Sequence, residues 1–192
     1  MMANQRAGEE DAVTSSYEPK MLTEDMLALV DRPMLEATSY PIDVNDIRRW
    51  VIAVYYPDVP PREFWDDEYA ATTPWGGIVA PEEFNPFAWA TKDPPLSARR
   101  EQGIPGRWGH FEAVFGMEPP RYRAVLQSRV ISTYSAVRMR PGDTIRSVDR
   151  ISEYFEREGK MGPQLYTTIS VDYFNQHEEW IKRRDTVFVR YQ

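Results

Sequence analysis

"QLYTTISVDYFN", Gln164–Asn175, alternates without a break. Leu165, Thr167, Ile169, Val171 and Tyr173 fall on one face, and the residues between them fall on the other. A period of two over this length predicts a strand with one face on a core. Its neighbours have the same character. Upstream, Thr144–Arg157 reads as a strand ended by "EGKMGP", and Arg129–Arg140 as another. Pro141-Gly142 between those two suits the central positions of a type II turn. Downstream, Trp180–Tyr191 is the last strand, reached through the turn "NQHEEW". Strands joined by short turns predict an antiparallel sheet.

The first half of the chain reads differently. Thr23 is placed to cap a short helix through Leu29, which Pro33 stops, and Glu36–Ile42 reads as a short extended segment. Asp43 is a second N-cap. Ile47, Trp50, Val51 and Val54 follow it at i, i+3, i+4 and i+7, one apolar helix face that Pro57 ends. Asp66–Ala71 predicts a further helical turn. After "PWGGIVAP" (Pro74–Pro81) comes "EEFNPFAWATK", with Phe84, Phe87, Ala88 and Trp89 as anchors of a buried helix. Pro86 interrupts that pattern. Either the helix kinks there, or Asn85 caps a shorter one with Pro86 at its first position. Asp93–Pro120, rich in proline and glycine, is long for a loop and reads as a lid or pocket wall. Helices ahead of an antiparallel sheet define an α+β class.

Composition narrows the function. The 192 residues fit one domain, 21–192, behind a polar and aperiodic tail, 1–20. The net charge of −7 disfavours nucleic acid or an anionic membrane as partner. With no cysteine there is neither disulfide nor thiolate chemistry. The two histidines, His110 and His177, do not form a metal-ligand pattern, so no metal is expected. With neither an apolar span nor a signal pattern at the N-terminus, the cytoplasm is the default compartment.

Four fragments, "TPWGGIVAPEEF" (Thr73–Phe84), "RMRPGDTI" (Arg138–Ile145), "REGKMGP" (Arg157–Pro163) and "YFNQHEEW" (Tyr173–Trp180), occur in the order of a known family. Together they resemble the N-terminal dehydratase domain of the MaoC-like hydratases over most of Ile42–Tyr191. The resemblance implies a hot-dog fold, a curled antiparallel sheet around a central helix. It also implies an enoyl-CoA hydratase or 3-hydroxyacyl dehydratase acting on acyl thioesters of coenzyme A or acyl carrier protein. The thioester would be substrate, with no further cofactor. Active members carry an Asp-x-Asn-Pro-x-His-x-Asp loop after the first helix, whose Asp and His activate water. A backbone amide at the head of the central helix polarises the thioester carbonyl.

In this chain "YYPDVPPREFWDDEY" (Tyr55–Tyr69) occupies that loop, with three prolines, five acids and one base, Arg62. Asp58 matches the first Asp, Pro61 the Pro, and Asp66 or Asp67 the last Asp. Pro60 replaces Asn, and Glu63 or Phe64 falls where His is expected. Ala80-Pro81 stands where active members often have His-Gly, and Pro81 has no N–H to donate. The resemblance therefore implies a loop kept mainly as structure. It further implies a subunit that shapes an acyl channel while a second hot-dog chain, in a hetero- or homodimer, supplies the chemistry. The candidate ligand-binding residues are Gly76, Gly77, Ile78, Val79, Ala80 and Glu82, with Trp89 and Trp108 as channel lining alongside Phe111 and Phe115. Asn175 and Gln176 either bond across their turn or face the ligand. If the chain acts alone, as a hydratase or thioesterase, Asp58, Glu63 or Glu82 would activate water, or His110 would replace the missing base. A non-enzymatic binding module is the remaining alternative.

Overall fold

The computed structural model describes residues 21–87, 110–160 and 162–191. The tail 1–20, Trp89, Trp108 and most of the long loop lie outside them. In chain order the elements are α1 (Glu24–Leu27), β1 (Pro33–Thr38), α2 (Val44–Tyr55), α3 (Asp67–Ala71), β2 (Ala124–Tyr134), β3 (Arg146–Gly159), β4 (Gly162–Phe174) and β5 (Trp180–Tyr191). The expected α+β class holds.

Local signals placed the helices well. Thr23 Oγ1 accepts the Met26 amide at 3.3 Å, and Asp43 Oδ1 accepts the Asn45 amide at 2.7 Å. Ile47 and Val51 are fully buried, and Trp50 meets Phe84 edge-on at 5.6 Å between ring centroids. Val54 corrects the expected face: it is 60 % exposed, because this end of α2 runs past the core. Loss of an N-cap side chain costs about 0.5–2 kcal/mol. Asp43→Ala should therefore lower the midpoint of thermal unfolding by a few degrees, and an unchanged midpoint would deny the cap any role in stability.

All five strands form one antiparallel sheet, in the order β1-β3-β4-β5-β2. The turn at Pro141-Gly142 is as expected, with Gly142 at φ +91° and the Asp143 amide donating to the Arg140 carbonyl at 3.1 Å. The strands on either side of it do not pair, however. β2 ends at Tyr134 and pairs with β5, while β3 pairs with β1 and β4. Ser135–Ile145 is thus a crossing between opposite halves of the sheet rather than a hairpin.

The alternation in β4 sets the inner face. Leu165 and Thr167 are fully buried and Ile169 nearly so, and Tyr173 packs at the far end. Two clusters cover that face. α1 and the 3-10 turn Phe111–Phe115 cover one half, around Met26, Ile151, Leu165 and Phe188. At the other, Ile47 of α2 meets Ile78, Ala80, Phe84, Met139, Ile145 and Ile181. The segment predicted as the central helix enters here and is not helical over its described part. Pro81–Phe84 is a turn, closed by the Phe84 amide on the Pro81 carbonyl at 3.0 Å. Asn85 Oδ1 accepts the Phe87 amide at 3.0 Å, the bond of a cap with Pro86 following it. The continuation to Lys92 lies outside the described residues.

Candidate functional site

The glycine-containing connection Thr73–Phe84 crosses the end of the sheet. Gly76 takes a positive φ of +65°, which favours glycine. From there Ile78, Val79 and Ala80 enter the core, and the Ala80 amide donates to the Met139 carbonyl at 2.8 Å. Ala80, Pro81 and Glu82 line one wall of a narrow cleft of about 10 Å³, opposite Tyr134, Arg138 and Ile181. That is room for a single water.

The groups around this cleft are polar and tightly engaged. Arg138 pairs with Glu82 at 2.9 Å and lies over the Trp75 ring. Tyr134 donates its hydroxyl to Glu83. Burial, and then the Glu83 carboxylate, push the Tyr134 phenol up from its ordinary range. Lys182 of β5 is 5 % exposed and donates through Nζ to the carbonyls of Glu82 and Phe84, at 2.9 Å each. Its ammonium also faces the Tyr173 ring at 5.1 Å. Desolvation pushes Lys182 down to about 8, against the opposing pull of Glu83 and Glu82.

That shift sets a pH dependence. Lys182 loses its proton near pH 8 in the fold, and near its ordinary 10.5 in the unfolded chain. Between these values the unfolded chain binds more protons, so stability rises with pH. Tyr134, Tyr154 and Tyr173, all pushed up by burial, reverse the sign once free tyrosine ionises near 10. The charged groups acting on Lys182 are Glu82, Glu83 and Arg184. Melting curves from pH 7.5 to 9.5 should show the wild type gaining on Lys182→Met, and parallel curves would contradict the burial of the charge.

The structure separates the other candidates from this cleft. Asp58 is exposed and Glu63 half-buried on the connection after α2, and among the described residues neither carboxylate has a hydrogen-bond donor. The connection is stitched to itself. Arg62 pairs with Asp66 at 2.6 Å, Arg48 with Asp67 at 2.6 Å, and Trp65 Nε1 donates to the Pro60 carbonyl at 2.9 Å. The Tyr69 amide and Arg62 hold the Asp66 carboxyl below the usual carboxylate range. His110 stands at the start of the Phe111–Phe115 turn with its ring edge-on to Tyr122. Phe111 packs on Phe188 with centroids 4.9 Å apart, as part of the core. Asn175 accepts the His177 and Glu179 amides, both at 3.0 Å. Gln176 bonds Thr144 and Asp143, so both side chains serve the turn. Sequence reading missed Lys182, Tyr134, Arg138 and Glu83.

Among the described residues no group of three or more His, Asp or Glu is placed to hold a metal ion, and no helix is long and apolar enough to cross a membrane. Residues 28–184 match the FAS1-like dehydratase domain region. No curated protein matches the chain. Among solved structures, a MaoC-like dehydratase from Rhodospirillum rubrum is similar at 15 % identity and a TM-score of 0.50, covering 89 % of this chain and 97 % of that one. The ChsH1–ChsH2 complex from Mycobacterium tuberculosis is similar at 15 % identity and a TM-score of 0.53, covering 83 % and 84 %. At such identities the likeness is one of fold, the hot-dog. With a family match over most of its length and a five-stranded antiparallel sheet that agrees with it, this chain belongs to the FAS1-like dehydratase domain region family and has the hot-dog fold.

Proposed function

We propose that this chain is the acyl-thioester-binding subunit of a MaoC-like enoyl-CoA hydratase or 3-hydroxyacyl dehydratase, working in the cytoplasm. It shapes the acyl channel, and a partner hot-dog chain supplies the Asp and His. The observation that carries the reading is the loop after α2. It holds no histidine, Asp58 faces solvent, and Asp66 and Asp67, either of which matches the last Asp, are spent on Arg62 and Arg48. The cleft beside Pro81 supports it, since a space for one water accepts no acyl chain without a second wall. The open edge of the sheet supports it as well. β2 runs 11 residues at that edge, with Leu126 56 % and Ile131 42 % exposed and Arg129 its one charge. Edges of this length are normally blunted by charge or proline, or paired. The substrate is an acyl-CoA or acyl carrier protein thioester.

Size-exclusion chromatography with light scattering tests the pairing. The chain should run as a dimer, or take up a second hot-dog chain offered to it, and Ile131→Lys on the edge should weaken either assembly. A monomer that ignores such a partner at micromolar concentration would contradict the reading. A second reading, a hydratase or thioesterase that uses a carboxylate alone, is favoured by the Tyr134–Glu83 hydrogen bond beside the cleft.

A further inference from the structure

Lys182 has a geometry that its place in a strand does not require. Most buried lysines pair with a carboxylate. Lys182 instead holds two backbone carbonyls of one turn, those of Glu82 and Phe84. In a trans peptide the C=O and the following N–H point in opposite directions, and both of these peptides are trans. Drawing the Glu82 carbonyl onto the ammonium therefore turns the Glu83 amide away from it. The same holds for the Phe84 carbonyl and the Asn85 amide. Among the described residues neither amide has an acceptor. Glu83 is exposed and Asn85 partly so, while Lys182 lies beneath them. One buried cation thus fixes two outward donors, two residues apart, beside the position where Pro81 cannot donate.

We propose that Lys182 is a positioning residue for thioester recognition: it holds the Glu82 and Phe84 carbonyls inward and so presents the Glu83 and Asn85 amides to the thioester carbonyl of the acyl ligand. This rests on the acyl-thioester reading above. The two donors stand in for the one lost at Pro81. The Glu82 and Glu83 carboxylates do not compete for them, because Arg138 and Tyr134 engage those side chains.

The test compares two ligands by calorimetry on the full chain in its assembled form, as a homodimer or with its second hot-dog chain: butyryl-CoA, and S-butyl-CoA, a thioether of matching length without the carbonyl. The wild type should prefer the thioester by about 3–10-fold, the worth of one or two hydrogen bonds to a neutral acceptor. In Lys182→Met the preference should vanish while thioether affinity stays within about two-fold, since the bonds to the thioester carbonyl are the only difference between the ligands. Lys182→Arg, which can still donate to both carbonyls, should recover part of it. If Lys182→Met does not melt cooperatively, Lys182→Gln replaces it and should lose part of the preference. A preference that survives undiminished in Lys182→Met, or in Lys182→Gln where that replaces it, overturns the proposal, as does an equal loss for both ligands, which marks a purely structural lysine. A wild type that binds neither ligand overturns the acyl-thioester reading itself, and this inference with it. A wild type that binds both equally overturns this inference alone.

Discussion

Glu112→Gln is expected to cost the fold about 3–5 kcal/mol, the range for breaking one side of a buried ion pair. In a chain of this size that lowers the melting midpoint by roughly 6–20 °C. Glu112 and Arg190 are both wholly buried and meet through two bonds of 2.8 and 2.7 Å. The Tyr154 hydroxyl donates to the same carboxylate at 2.7 Å, and Arg190 donates also to Thr167 Oγ1 at 2.7 Å. Burial first, and then the Glu112 charge, push the Tyr154 phenol up, so it stays a donor. The glutamine keeps the shape and one oxygen but leaves a desolvated guanidinium without its counter-charge. Because the pair fastens the Phe111–Phe115 turn across β3, β4 and β5, the cost is global. An apolar double variant, Glu112→Leu with Arg190→Met, should recover much of the loss, since well-packed apolar groups often replace such a pair at little cost. If the single variant melts within about 2 °C of the wild type, well short of the range for a broken pair, the ion pair does not hold the fold together.

Neither partner of that pair was legible in the sequence, and the reason is physical. Alternate positions in β5 read Lys182, Arg184, Thr186, Phe188 and Arg190 on one face, and Ile181, Arg183, Asp185, Val187 and Val189 on the other. Neither face is apolar throughout, so period alone cannot choose which one turns inward. Register chooses: Leu165 stands opposite Arg190 and Tyr173 opposite Lys182. In β4 one face carried the apolar residues almost unbroken, so its inner side could be named beforehand. Strand order failed for a related reason. The turn at Pro141-Gly142 is encoded locally, whereas the pairing of β2 with β5 depends on residues about fifty to seventy positions apart.

The candidate site shows the same division. Thr73–Phe84 was locatable because its residues resemble a family pattern, and the caps at Thr23 and Asp43 because capping is a local act. The helix expected from Glu82 depended on Phe84, Phe87 and Trp89 as anchors. In its described part Pro81–Phe84 is a turn, two of whose carbonyls Lys182 holds, and Asn85 stands as the cap ahead of Pro86, the second of the two readings the sequence left open. Lys182 comes from about a hundred positions further along the chain, so no window around the turn contains the group that shapes it.

On its own the protein should hydrate trans-2-enoyl-CoA substrates very slowly, some 10²–10⁴-fold below a complete hydratase, the usual cost of losing a general acid or base. The loop after α2 has no histidine, and Asp58 faces solvent, away from the cleft. Pro81 cannot donate to the developing oxyanion, and one lost donor of that kind is worth about 10²–10³-fold. The two losses need not multiply, because groups acting together are non-additive. If Lys182 presents the Glu83 and Asn85 amides as inferred, the second loss is partly made good while the first stands. A chain that binds thioesters and lacks the base is what this predicts. The assay follows loss of the enoyl-thioester absorbance with a short and a long substrate, alone and with a second hot-dog chain carrying Asp-x-Asn-Pro-x-His. Turnover should appear only on mixing. Robust turnover by the chain alone would sink the subunit reading. Asp58→Asn, Glu63→Gln, Glu83→Gln and His110→Ala, tested in turn, would then find the group that activates water, with Glu83 expected first because it alone of the four sits beside the cleft, hydrogen-bonded to Tyr134.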